Sequence, residues 1–247
     1  MNYIVFDLEF NQNISSLSKF DIKGSQYPFE IIQLGAVKLD HDFNVVASFN
    51  SYVKPVIYES ILPFITDLTG ITTEQLLSEQ IYPEVFKKFI EFIDDINSIF
   101  CIWGMSDIKE LFRNANYHNL DTKILPRMFI NLQPYVTLHF NFPKNKLLRL
   151  QNAVELFNIP TSYKFHNALY DAYYTAEIFK KIYNSSIQPK IYDPSYVRIR
   201  QRQPKRAIDF VMLLQQFEKM YERKITVEEQ DMIKLAYKMG KTNQFLK

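Results

Sequence analysis

Residues 3–10, YIVFDLEF, place two carboxylates, Asp7 and Glu9, two positions apart in an otherwise apolar run. Such a run reads as a strand buried in a sheet. In a strand, positions i and i+2 share a face, so the two acids stand side by side while Phe6, Leu8 and Phe10 point the other way. Anions held that close repel. Burying them uncompensated costs several kcal/mol each, or raises their pKa values until one takes up a proton. A hard divalent cation removes the conflict, because Mg²⁺ prefers oxygen ligands at about 2.1 Å and binds through few carboxylates plus waters and phosphate oxygens. The bland alternative is an edge strand whose polar face is solvated.

Two further segments carry acids in apolar surroundings. In IWGMSDIKEL, Asp107 follows a buried strand and opens a helix, where its plain role is N-cap, with Glu110 completing a capping box. In FHNALYDAYYTA, Asp171 lies inside a helix among Ala168, Ala172, Thr175 and Ala176, small residues that leave room for close approach. His166 stands at the start of that helix, a little over one turn earlier. A lone histidine there is ordinarily a satisfied surface or core residue. Four acids on three separate apolar elements, with a histidine beside them, exceed what stability alone requires.

The elements that must position these residues can be read coarsely. After the first strand, 29–40 (FEIIQLGAVKLD) and 45–55 (VVASFNSYVKP) read as strands joined by the hairpin loop HDFN. A long connection containing LTGIT leads to 83–94, where Val85, Phe86, Phe89, Ile90 and Ile93 fall at helical spacing. Residues 98–103 form a short buried strand, and 106–118, 146–159 and 165–183 read as helices, the second ending before Pro160. The pattern predicts an α/β domain: a mixed sheet covered by helices.

Composition bounds the class. The 247 residues are 47% hydrophobic and 23% charged, enough for one large domain with an appendage or two small domains. No window approaches the 18 or so apolar residues of a membrane span, and the first ten residues do not resemble a secretory signal. Cys101 is the only cysteine, set in apolar IFCIW, which predicts a buried small hydrophobe in a reducing compartment, the cytoplasm by default. The net charge of +2 is too small to imply nucleic acid, but RIRQRQPKR (198–206) concentrates five basic residues without an acid. It follows the proline-marked IQPKIYDPS. A boundary near 188 therefore separates a main domain, 1–188, from a basic linker and helical extension, 189–247.

On these motifs the chain resembles the DEDDh 3′-to-5′ exonucleases, related to ribonuclease T, oligoribonuclease and the proofreading subunit of bacterial DNA polymerase III. The resemblance covers roughly 1–185. FDLEF supplies Asp7 and Glu9, WGMSD supplies Asp107, and HNALYDA supplies His166 and Asp171 with the H-x4-D spacing of that class. FDLEFN, LGAVKLD and LTGI look closest to the branch of histone-mRNA and RNA-interference-related exonucleases and the bacterial KapD group. The resemblance implies a ribonuclease-H-like fold and two Mg²⁺ or Mn²⁺ ions that activate water for cleavage of single-stranded RNA or DNA 3′ ends to nucleoside 5′-monophosphates. It implies that Asp7 bridges both ions, that Glu9 and Asp171 complete one site, that Asp107 supports the other, and that His166 takes a proton from the attacking water. Leu8 and Phe10 fall where family members contact the terminal nucleotide, although strand alternation turns both away. A strand ending at Phe10 would turn its side chain and the Asn11 backbone toward the base. RNA is the favoured substrate, with DNA the rival and a catalytically silent binding module the alternative of another class.

The extension adds two amphipathic helices, one in RAIDFVMLLQQFEKMY and one opened by the capping box TVEE at 226–229. They are too few for an independent core and so are expected to pack on the main domain or on a protein partner. Arg198, Arg200, Arg202, Lys205 and Arg206 are either a solvated linker or a track for upstream phosphates.

Overall fold

The computed structural model describes residues 1–12, 27–143, 145–196 and 208–241. The chain divides into two units, Met1–Tyr196 and Val197–Lys247. In the first, the described strands are β1 (Tyr3–Asn11), β2 (Glu30–Leu39), β3 (Val45–Tyr52), β4 (Ile99–Ile102), β5 (Met128–Asn131) and β6 (Lys190–Ile191). They form one sheet in the order β3-β2-β1-β4-β5-β6. β2 and β3 pair antiparallel beside β1, whereas β4 and β5 run parallel to it and β6 closes the far edge antiparallel. β6 lies in the stretch read as linker, so the sheet continues past residue 188.

The first unit's described α-helices are α1 (Pro63–Thr69), α2 (Thr73–Leu76), α3 (Tyr82–Ile93), α4 (Ser106–Tyr117), α5 (Leu132–His139), α6 (Leu150–Leu156) and α7 (Ala168–Ile182). Each face of β1 feeds its own core. Ile4, Phe6 and Leu8 pack with Val85, Phe86 and Phe89 of α3 and with Ile108, Leu111 and Phe112 of α4. Tyr3 and Val5 pack on the opposite side with Val136 of α5, Val154 of α6 and Ala172, Ala176 and Phe179 of α7. Strand alternation thus assigns the odd-numbered residues, including both acids, to the α7 side. Cys101 lies wholly buried in that second core, as its apolar neighbours predict.

The second unit contains α8 (Phe210–Tyr221) and α9 (Val227–Lys241). Asp209 caps α8, accepting from the Val211 and Met212 N–H groups. The predicted capping box is present: Thr226 Oγ1 accepts from Glu229 N–H, and the Glu229 carboxylate accepts from Thr226 N–H at 2.9 Å. Ile225 is the one residue of this unit that is buried among those described. The basic residues Arg198, Arg200, Arg202, Lys205 and Arg206 lie outside the described residues.

Candidate active site

Asp7 sits opposite Gly35 of β2, and Glu9 sits opposite Gln33. These two partners seat α7. A Cβ on Gly35 would collide with the Ala168–Leu169 peptide, so the glycine lets the helix backbone rest directly on the sheet. Gln33, fully buried, donates to Asn50 Oδ1 at 2.9 Å and accepts the Ala168 N–H at 3.2 Å. Asn167 caps the helix by accepting from Tyr170 N–H. Asp171 consequently enters one turn into α7 on its sheet side, 7% exposed. His166 precedes the cap at φ +63°, a left-handed conformation that costs a histidine of order 1–3 kcal/mol, and its N–H donates to Asp171 Oδ2 at 3.1 Å. Gln33 and Gly35 carry no chemistry of their own and were not singled out by sequence. The visible signal was an isolated glycine inside an apolar strand, which marks close backbone approach.

Asp107 arrives from the other side of β1. β4 runs parallel beside the first half of β1 and ends at Ile102, so the chain turns toward the acids through Gly104, at φ +93° with its N–H held by Asn131 Oδ1. α4 then starts at Ser106, and its N-cap is Met105, without a side-chain cap. Asp107 therefore does not cap the helix, and Glu110 pairs with Arg113 instead of completing a capping box. Asp107 is 5% exposed, and the Leu8 backbone N–H offers a hydrogen bond to both its carboxylate and that of Asp7.

Burial pushes all four carboxyls upward, and repulsion adds to it at Asp7, Glu9 and Asp107. Asp7 rises well above the usual carboxylate range, first through desolvation and then through Asp107, Glu9 and Asp171. Glu9 rises to about 8 through burial and the charges of Asp171 and Asp107, and Asp107 to about 7, chiefly through burial. Asp171 rises to about 6 by burial, eased by the His166 N–H. His166 shifts the opposite way, its charged form disfavoured by partial burial and by Lys164. Ligand atoms of Glu9, His166 and Asp171 all lie within 4.8 Å of one another, and Asp171 Oδ1 is buried with no hydrogen-bond partner. Crowded carboxyls with an unsatisfied oxygen are a donor set suited to a hard divalent cation.

Leu8, Phe10 and Asn11 are placed differently from the acids. Leu8's side chain belongs to the α3–α4 core, and only its backbone N–H reaches the site. The irregularity after Glu9 leaves the unpaired residue, Ile32, on β2, so β1 keeps its alternation and runs on to Asn11. Phe10 therefore stays on Leu8's face, packed 5.5 Å from the Phe29 ring. Asn11 is fully buried and donates to the Tyr58 and Ser60 carbonyls, tying down the connection ahead of α1.

The family model described as Exonuclease (RNase_T) matches residues 4–179, spanning every element that contributes to this cluster. The chain belongs to the exonuclease family. Among curated relatives, mouse ERI1 exoribonuclease 3 is 26% identical over 166 residues, covering 63% of this chain and 48% of that protein. The chain thus spans about half the length of that relative. DNA polymerase III subunit epsilon of Aquifex aeolicus is 31% identical over 188 residues, covering 73% of this chain and 79% of that one. Among solved structures, the nuclease domain of 3′hExo, a DEDDh family member bound to rAMP, superposes with a TM-score of 0.64 at 21% identity, covering 78% of this chain and 96% of that one. That likeness establishes the ribonuclease-H-like fold of the chain. Among the described residues, no helix is long and apolar enough to cross a membrane.

Proposed function

We propose that the protein is a metal-dependent 3′-to-5′ exonuclease that removes nucleoside 5′-monophosphates from single-stranded RNA ends. The observation that carries this reading is the convergence of Asp7, Glu9, Asp107 and Asp171, from three separate elements, into one cluster beside His166, with Asp7 half-buried and the other three acids buried. Divalent ions, two Mg²⁺ or Mn²⁺, would lower the pKa of a bound water and offset charge on the phosphate and the leaving 3′-oxygen. Asp7, Glu9, Asp107 and Asp171 would hold these ions, Asp7 being the acid whose charge meets those of all three others. The Leu8 N–H orients Asp7 and Asp107, and the His166 N–H fixes Asp171. His166, exposed and with its neutral form favoured, is suited to accept the proton of the attacking water. RNA is favoured by the name of the ERI1 relative, and DNA by that of the polymerase subunit. Arg198, Arg200, Arg202, Lys205 and Arg206 are proposed to follow upstream phosphates, and the second unit's exposed apolar residues to meet a protein partner. A single buried thiol fits the reducing cytoplasm.

The test is a 5′-labelled single-stranded RNA, the matching DNA and a stem-loop RNA with a 3′ overhang, each with Mg²⁺, Mn²⁺ or EDTA. Stepwise shortening of the RNA from its 3′ end in either metal and none in EDTA is expected. Faster loss of DNA would move the substrate assignment, whereas internal cuts or cleavage in EDTA would defeat the reading.

A further inference from the structure

The loop that carries His166 presents an aromatic surface for which the acids and the histidine have no use. Tyr163 and Tyr170 stack with ring centroids 4.4 Å apart and planes 12° from parallel. Tyr170 immediately precedes Asp171, and Tyr163 lies three residues before His166, at most about 10 Å of extended chain away. Packed on Tyr170 and still 48% exposed, the Tyr163 ring is not a core aromatic. It is nevertheless firmly held. The Tyr163 N–H donates to Tyr174 Oη at 2.8 Å, and the Tyr174 hydroxyl donates back to the Tyr163 carbonyl at 2.8 Å. Both bonds use the Tyr163 backbone, so the fold fixes where this ring stands without needing the ring itself. Lys164 follows directly, exposed, and its charge is felt at His166.

A rigid, half-exposed π-surface beside a cation at the rim of a phosphodiester-cleaving site has the chemistry of a nucleotide subsite. Bases of any sequence stack on such rings, and a lysine suits the phosphate between them. The scissile phosphate must descend to a half-buried Asp7 flanked by Glu9, Asp107 and Asp171, which are 5–8% exposed, so the outward Tyr163 is reached by chain that has not yet entered. The geometry points to Tyr163 as a stacking platform for a base upstream of the terminal nucleotide, extending the Tyr163–Tyr170 stack by one ring, with Lys164 beside the adjoining phosphate. This rests on the nuclease reading of the acid cluster.

The experiment measures binding of a fluorescent single-stranded RNA octamer to the full chain by anisotropy, in EDTA and again with Ca²⁺. Stacking is worth about 1–3 kcal/mol per base, so Tyr163→Ala should weaken octamer binding roughly 5- to 150-fold, while Tyr163→Trp should hold or tighten it. The loss should be larger for the octamer than for a dinucleotide. Because the clamp to Tyr174 is made by backbone atoms, the alanine variant retains it, and the thermal midpoint reports any wider collapse of the loop. Equal octamer affinity for Tyr163→Ala and wild type, an equal loss on the dinucleotide, or no octamer binding by the wild type overturns the platform. An affinity split without mononucleotide release in Mg²⁺ would defeat the nuclease reading and leave the platform standing, and release without a split would do the reverse.

Discussion

Without metal, the acid cluster should make the protein less stable as pH rises, and replacing Asp7 by Asn should remove part of that penalty. Glu9 titrates at about 8, Asp107 at about 7 and Asp171 at about 6 in the folded protein, all above their unfolded values near 4. A carboxyl whose folded pKa is raised binds more protons folded than unfolded between those two values. Its contribution is intact below about pH 4 and is lost as pH climbs through the folded pKa. At about 1.4 kcal/mol per pKa unit, the coupled cluster should cost several kcal/mol between about pH 4 and pH 8. Asp7→Asn keeps the shape, deletes the most strongly perturbed charge and relieves its neighbours, so at pH 8 it should gain about 1–3 kcal/mol, roughly 2–4 °C of Tm per kcal/mol. Thermal unfolding followed by circular dichroism across this pH range, in EDTA and in excess Mg²⁺, makes the comparison. Mg²⁺ should flatten the wild-type profile and stabilise Asp7→Asn less than wild type. A flat wild-type profile in EDTA, or a variant less stable than wild type at pH 8, would refute the electrostatic account.

His166→Ala should slow turnover by about two to four orders of magnitude, while metal affinity measured calorimetrically changes far less. An equal collapse of metal binding would make His166 a ligand, which its position within 4.8 Å of Glu9 and Asp171 permits. Gly35→Ala should cost at least about 2–3 kcal/mol in chemical denaturation, because the added methyl meets backbone that cannot step aside, and whatever folds should bind metal weakly through a displaced Asp171. Thr226→Ala should remove about 1 kcal/mol of α9 helicity, visible as weaker protection of its first-turn amides in hydrogen exchange, with cleavage of short RNA the control.

The acids were legible because each sits where local pattern is strongest: the period-two alternation of β1, the apolar strand before Asp107 and the small-residue helix around Asp171. Their supports were not, because support is tertiary. Gln33 reads as one polar residue in an apolar strand until Ala168 arrives above it. The helix expected from residue 146 begins only at Leu150, because the preceding segment is held extended by the Leu148 carbonyl, which accepts from both Trp103 Nε1 and Gln133 Nε2. β5 is four residues long and passes at once into α5, so neither period develops far enough to be recognised. For Phe10, sequence could not show which strand carries the irregularity. Placed on β2, it leaves Phe10 packed against the core on Leu8's face.

The repulsion between Asp7 and Glu9 has a second consequence, in biosynthesis. Among the elements of the site, β1 is made first and α7, which covers the acid-bearing face, is made last. Until β2 and β4 emerge to pair with it, YIVFDLEF is an unpaired, strongly strand-forming segment of the kind that stacks into intermolecular sheets, and its acid-bearing face stays uncovered until α7 is made. Two like charges on one face make self-pairing in register unfavourable, so the acids act as gatekeepers for the nascent chain before they can serve any chemistry. An uncharged replacement such as Asp7→Asn would then gain stability once folded and lose soluble yield on the way there, two effects of one carboxylate with opposite sign.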